Sequence, residues 1–303
     1  MNDSAPALVE VLRHWSFDIP WLAAIAFAAS VYLRAASKPS AHRGHQPHRR
    51  WRTVSFVAGL ALLGVAVLSP LEFYGNQLLW VNFVGFLVIT MIVPPLILLG
   101  SPLTLAFRVG SPAARRRLRA LYRGRAAALI TFPAASWLIF AAVTYLWQFT
   151  PLTDAAARDG AARDFQQFSL LAAGLLFWNP ALCADPIRWR IPLPLRGLYI
   201  FVEMTHKGLF GGMFLSMNHP MHRHFATHLP SWGPGPMTDQ RMAIVILWIG
   251  GNLIFLVALI GLVIRWVQYE ARTTARTDAR LAKVRAAETS RRTALERVFQ
   301  RPV

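Results

Sequence analysis

The chain has 303 residues, 55% of them apolar and only 15% charged, where soluble domains carry roughly a quarter. With 11 Trp and 19 Phe, that deficit excludes an ordinary soluble domain and points to lipid as the solvent. Charge is lopsided, 32 Lys and Arg against 14 Asp and Glu, but the positive residues lie between long apolar runs instead of on a soluble face, which excludes nucleic acid as the partner.

One cysteine, Cys183, excludes an intrachain disulfide and a thiolate metal site; beside Pro180 and Asp185 it reads as a small packing residue. Asp3 and Glu10 precede the first apolar run, so the start lacks the basic region of a cleaved signal peptide.

In chain order, seven stretches reach the roughly 20 apolar residues a spanning helix needs: 19–35, 53–73, 78–98, 126–149, 165–184, 197–217 and 241–266. Pro94-Pro95 and Pro133 fall inside them, which spanning helices tolerate when neighbours satisfy the freed carbonyls. The expected fold is all-α, a polytopic membrane protein built as a bundle of seven transmembrane helices. Its orientation follows from the basic residues. The 1–2, 3–4 and 5–6 connections and the tail from Arg265 hold 26 of the 32, including Arg34 to Arg52 and Arg108 to Arg125. The alternate segments hold only Arg13, Arg158, Arg163, Arg223 and Arg241. The N-terminus is therefore expected outside and the C-terminus in the cytoplasm.

The first connection carries His42, His45 and His48 and reads as a solvated loop. Past Trp266 the chain reads as a continuing helix rich in Ala and Arg. The simplest partition is a seven-span domain over 1–270 and a basic cytoplasmic tail over 271–303. Anionic lipid headgroups are the expected partner of the basic loops and tail, at about 1 kcal/mol per basic residue near the surface.

Ionisable residues inside a span are costly and mark function, and the sixth span holds the densest set, Glu203, His206 and Lys207. Glu203 and Lys207 stand four apart with Glu first, the favourable order for a helical ion pair, and a purely structural pair stays open beside a functional one. On the same helix Met213 and Met217 fall within about 20° of the His206 direction at 100° per residue. The helix leads into a loop with His219, Met221, His222, His224 and His228. Thioethers and imidazoles suit Cu(I), so His206, Met213, Met217, His219, Met221, His222, His224 and His228 form the candidate metal set, without a catalytic residue. Glu72, Asn82, Gln148, Gln166 and Gln167 gather at span ends on the same side, and Asn252 reads equally well as helix-to-helix glue.

The segment Val93-Pro94-Pro95-Leu96 through Gly100-Ser101-Pro102-Leu103-Thr104 resembles the multi-span CtaG-type cytochrome c oxidase assembly factors. The likeness continues through Trp147 with Pro151-Leu152-Thr153-Asp154, Gly174-Leu175-Leu176-Phe177-Trp178-Asn179-Pro180, Leu195-Arg196-Gly197-Leu198-Tyr199 and Asp239-Gln240, over roughly residues 50 to 270. The resemblance implies a bacterial plasma-membrane protein that helps make active haem-copper oxidase at the copper-loading step, with oxidase subunits as partners. The chain departs from the family's pattern where imidazoles stand. Asn82 and Phe86 replace a His-x-x-x-His pair, Gln148 replaces a His, and Gln166-Gln167 replace Glu-His; none of these can stand in for an imidazole ligand.

Three functions stay open. One is an assembly factor that holds or passes Cu(I) at the outer face. Another is a non-catalytic scaffold or accessory subunit on a respiratory complex. The third is a small metal or proton transporter using Glu203, His206 and Lys207 as a relay. No span presents a nucleophile beside a base, so covalent enzyme chemistry is not expected.

Overall fold

Prolines and polar caps cut the apolar runs into helices. The structure, a computed structural model, describes residues 14–38, 49–185 and 188–299; Asp3, Glu10, His42, His45 and His48 lie outside them. Helix makes up 83% and no strand occurs among the described residues, so the fold is all-α. The helices are α1 (Ile19–Ser37), α2 (Arg50–Leu68), α3 (Pro70–Gly75) and α4 (Leu79–Leu87), which runs through a π-turn (Val88–Ile92) into α5 (Val93–Leu99). Next come α6 (Pro102–Val109), α7 (Pro112–Arg123), α8 (Arg125–Ile130), α9 (Pro133–Phe149), α10 (Leu152–Arg158) and α11 (Gly160–Leu182). Then follow α12 (Leu193–Leu215), α13 (Arg223–Thr227) and α14 (Pro236–Val245), which passes a second π-turn (Ile246–Gly250) into α15 (Gly251–Phe299).

Among the described residues, four helical stretches are long and apolar enough to cross a membrane: Ile19–Ser37, Arg50–Leu68, Leu79–Val109 and Pro236–Lys283. The other three expected spans are helical too, with physical differences. The stretch 126–149 is broken ahead of Pro133, which leaves 17 residues in α9. Helix α11 carries Arg163, Asp164 and two glutamines, and α12 carries Arg196, Glu203, His206 and Lys207. The contacts divide the chain into two units, Met1–Leu256 and Val257–Val303; the second is helical through Phe299.

Local caps explain several starts. Asp18 accepts from Trp21 N, Ser69 from Leu71 N and Asp159 from Ala162 N, each supplying an acceptor to a first-turn N–H that has no helical partner. Three more helices are capped from far along the chain. Asp239 takes Leu79 N and Trp80 N at 2.9 and 3.1 Å, at the head of α4. Asp185 takes Leu103 N and Thr104 N at 3.2 and 2.7 Å, at the head of α6. Asp154 takes Arg223 N and His224 N at 3.1 and 3.2 Å, at the head of α13. A carboxylate there also meets the positive end of the helix dipole. Asp154 and Asp239 belong to the segments that carry the resemblance, and their geometry makes them pins between helices.

The two most specific of those segments form one interface. Pro94 has no N–H to give the Thr90 carbonyl four residues back, and Trp178 Nε1 donates to that oxygen at 3.1 Å. Gly174, one turn earlier, lets the helices close: a Cβ there would lie 2.8 Å from both Pro94 Cγ and Thr90 O. Elsewhere Ser55 Oγ donates to Leu96 O and Tyr32 OH to Gly100 O, both at 2.8 Å. Cys183 ends α11 with a positive φ of 46°, its Sγ donating to Pro180 O.

Candidate functional site

Helices α9, α12 and α14 and the loop after α12 enclose a cavity. Lys207, Gln148, Thr144 and Gln240 supply its polar wall, Met221 and His222 line it from the loop, and aromatic rings including Phe210 and Trp248 fill the rest. It leaves about 30 Å³ for the centres of water-sized groups. One water needs about 10–15 Å³, so roughly two waters or one small ion fit. The close approach of α12 to the second π-turn depends on Gly211, where a Cβ would stand 2.9 Å from Trp248 Cγ.

Glu203 is 1% exposed and Lys207 9%. Lys207 Nζ lies 3.9 Å from Glu203 Oε1, 4.0 Å from Met91 Sδ, and 5.2 and 5.6 Å from the Phe140 and Phe255 ring centres. Glu203 Oε2 has no hydrogen-bond partner and stands 3.6 Å from His206 Nδ1. His206 itself faces the Tyr145 hydroxyl, 3.0 Å from Nε2, and packs on Trp137 and Phe210.

The loop histidines divide by burial. His222 and His224 are buried, while His219, His228 and Met213 are exposed and Met217 and Met221 lie between. His222 Nε2 is 3.0 Å from Gln148 O, and His224 Nε2 is 3.2 Å from Asn76 O. A carbonyl only accepts, so each Nε2 carries the proton and each Nδ1 keeps its lone pair. Neither Nδ1 has a hydrogen-bond partner, although Asp154 Oδ1 stands 3.7 Å from that of His222. Burial pushes both imidazoles below their ordinary pKa, with the Asp154 carboxylate and the carbonyl contacts working the other way. The rings of His224 and His228 stack at 4.7 Å. Of the eight sulfur and imidazole candidates, the structure puts Met221 and His222 on one cavity and His224 against His228, and it turns His206 toward Tyr145. Among the described residues no three His, Cys, Asp or Glu side chains come together as a metal-holding group.

A second cavity lies between α3, α4 and α11, with about 40 Å³ for water-sized centres. Its wall includes Glu72, Asn82, Phe86, Arg163, Gln166 and Gln167. Four of the five positions where the resemblance implies other residues thus share one place. Arg163 Nη1 donates to Glu72 Oε1 at 3.2 Å, Ser16 Oγ to Glu72 Oε2 at 3.0 Å, and Asn82 Nδ2 to Gly75 O at 3.1 Å. Gln167 Oε1 has no partner. Gln148, the fifth position, lines the Lys207 cavity instead. Sequence reasoning gathers Glu72, Asn82, Gln148, Gln166 and Gln167 on one side, and four of these five share this cavity; it passes over the aspartate pins, because no periodicity links the segments that meet.

The profile of the cytochrome c oxidase caa3 assembly factors (Caa3_CtaG) matches residues 30–269. The chain is 28% identical over 285 residues to uncharacterized proteins of Mycobacterium bovis and Mycobacterium tuberculosis, and 25% identical to one of Mycobacterium leprae. Each of these alignments covers 90% of this chain and 42% of the relative, so the chain spans about two fifths of the length of the curated relatives it matches. No solved structure matches it.

Proposed function

We propose a function from one premise: the chain belongs to the cytochrome c oxidase caa3 assembly factor family. It is a multi-pass protein of the bacterial plasma membrane, with seven spans, the N-terminus outside and the C-terminus inside. It assists maturation of a haem-copper oxidase, binds subunits of that oxidase, and takes Cu(I) as cargo at the outer face. The distribution of basic residues supports the orientation, with 26 of 32 in the segments it puts inside.

The observation that carries the copper assignment is the state of His222 and His224. Metal-binding histidines generally donate their second ring N–H to a carbonyl or carboxylate, which fixes the tautomer and the ring. Both residues have that bond through Nε2, and both keep an unpartnered Nδ1. Burial favours the neutral, ligating form. Met221 beside them and the exposed His219 and His228 would complete a soft site.

One observation favours a scaffold instead: Asn82, Phe86, Gln166 and Gln167 line their shared cavity without an imidazole. The experiment pairs Cu(I) competition against a chelator with the copper content of the matured oxidase, for the wild type and H222N/H224N. Weaker binding and copper-poor oxidase support the cargo role. Unchanged values in both measurements leave the scaffold.

A further inference from the structure

The floor of the Lys207 cavity is short of acceptors. An ammonium has three donors to place, and those of Lys207 meet a carboxylate oxygen at 3.9 Å, a thioether at 4.0 Å and two aromatic faces. None of these is an oxygen within hydrogen-bond distance. Gln148, 4% exposed, brings a second donor to the same cavity, and its Nε2 has no partner. The neighbouring polar groups are engaged. Gln240 accepts from Met221 N and donates to His219 O, and Thr144 donates to Ala141 O. Two buried donors from two helices therefore point to one missing acceptor.

We propose that this cavity binds one small monovalent anion, of halide to formate size, between the Lys207 ammonium and the Gln148 amide. The space of about 30 Å³ admits such an ion and little more. Of the titratable groups on the wall, Lys207, Tyr145 and His222, none is negative at neutral pH. Glu203 is the opposing charge. It stands 3.9 Å from Nζ and is not among the residues that line the cavity, so the ion meets the cation first. The lining is mostly aromatic and aliphatic, and in such low-dielectric surroundings the attraction to the buried cation is stronger than in water. The site does not rest on the copper assignment.

The test compares thermal unfolding of the purified full chain in chloride and in gluconate at equal ionic strength, gluconate being too large for the cavity. A ligand that binds only the folded state stabilises it by RT ln(1 + [L]/Kd), so above Kd the Tm rises with the logarithm of ligand concentration. The wild type should show a Tm that climbs logarithmically with chloride, bromide or formate and does not climb with gluconate. Q148L, which leaves both charges in place, should weaken that response at least tenfold, and K207M should abolish it. H224N should keep it, because copper ligation and anion binding use different groups. Equal Tm in the two salts, a response that Q148L leaves unchanged, or its loss in H224N would each overturn the site. The Q148L arm decides even where K207M does not fold.

Discussion

Trp178 Nε1 donates to Thr90 O at 3.1 Å, the carbonyl that Pro94 leaves without its helical partner. Trp178 is 1% exposed, so no bulk water replaces that donor. The change W178F keeps most of the ring and removes the N–H. It should cost about 1–3 kcal/mol, the range for an unsatisfied buried group. Thermal unfolding in detergent measures it, and a W178F melt equal to wild type would show that Thr90 has found another donor.

The Glu203–Lys207 pair makes a second prediction. Both side chains are buried, so removing either leaves a charge without its counter-ion. The expected loss is about 3–5 kcal/mol for K207M or E203Q alone. The double change to apolar residues should be better tolerated than either single one. A double-mutant cycle reads the coupling, and additive losses would mean that the residues act separately despite their 3.9 Å separation.

How much of this was legible in the sequence depends on range. The apolar runs located the helices, and the i, i+4 spacing of Glu203 and Lys207 put them on one helical face, because those signals are local. The aspartate pins were not legible: Asp239 caps Leu79 from 160 residues away, and a carboxylate in the first turn of its own helix looks the same whether it faces water or the end of another helix. Asn82, Phe86, Gln166 and Gln167 could be read as departures from a pattern, but their sharing of one cavity follows from how α11 packs against the first π-turn and α5, which continue α4. His222 and His224 stood among eight equivalent candidates until burial and the carbonyls of Gln148 and Asn76 separated them from the exposed His219 and His228.

The buried loop histidines set a pH dependence. Their folded pKa is lowered, chiefly by desolvation, so the unfolded loop binds protons more readily than the folded one. The stability they contribute is fully present above the unfolded value of about 6.5 and is lost as pH falls through it toward the folded pKa. The protection factors of residues 218–228, taken relative to the intrinsic exchange rate at each pH, should therefore fall between about pH 7.5 and 5.5 through this linkage. H222N/H224N should flatten the dependence. A wild-type loop equally protected at both ends of that range would contradict the assignment.

Topology is open to a direct check. With the N-terminus outside, a cysteine placed at Ser4 or Thr227 labels with an impermeant reagent in intact cells, whereas one at Ser111 or Thr289 does not. The positive-inside asymmetry sets this expectation. The reverse pattern would put the His222–His224 loop on the cytoplasmic side and end the case for outer-face copper.

The copper assignment makes its sharpest claim about ligand softness. Met213, Met217 and Met221 are the thioethers in the candidate set, and thioether sulfur prefers Cu(I) over Zn(II). Replacing all three with Leu nearly preserves volume and apolarity, at under about 1.5 kcal/mol for each swap. Met213 is 49% exposed, so its exchange disturbs little packing. The wild type should prefer Cu(I), and the triple variant should lose that preference while the imidazoles still bind Zn(II). H222N/H224N should weaken both metals, because it removes the two buried lone pairs. Proton competition follows the same groups. Burial holds His222 and His224 below their ordinary pKa, so affinity should persist on acidification until pH is below about 6.5. Chelator competition at several pH values reads all three effects. A triple-Leu protein that still prefers Cu(I) would remove sulfur from the site, and with it the reason to choose copper over a scaffold role.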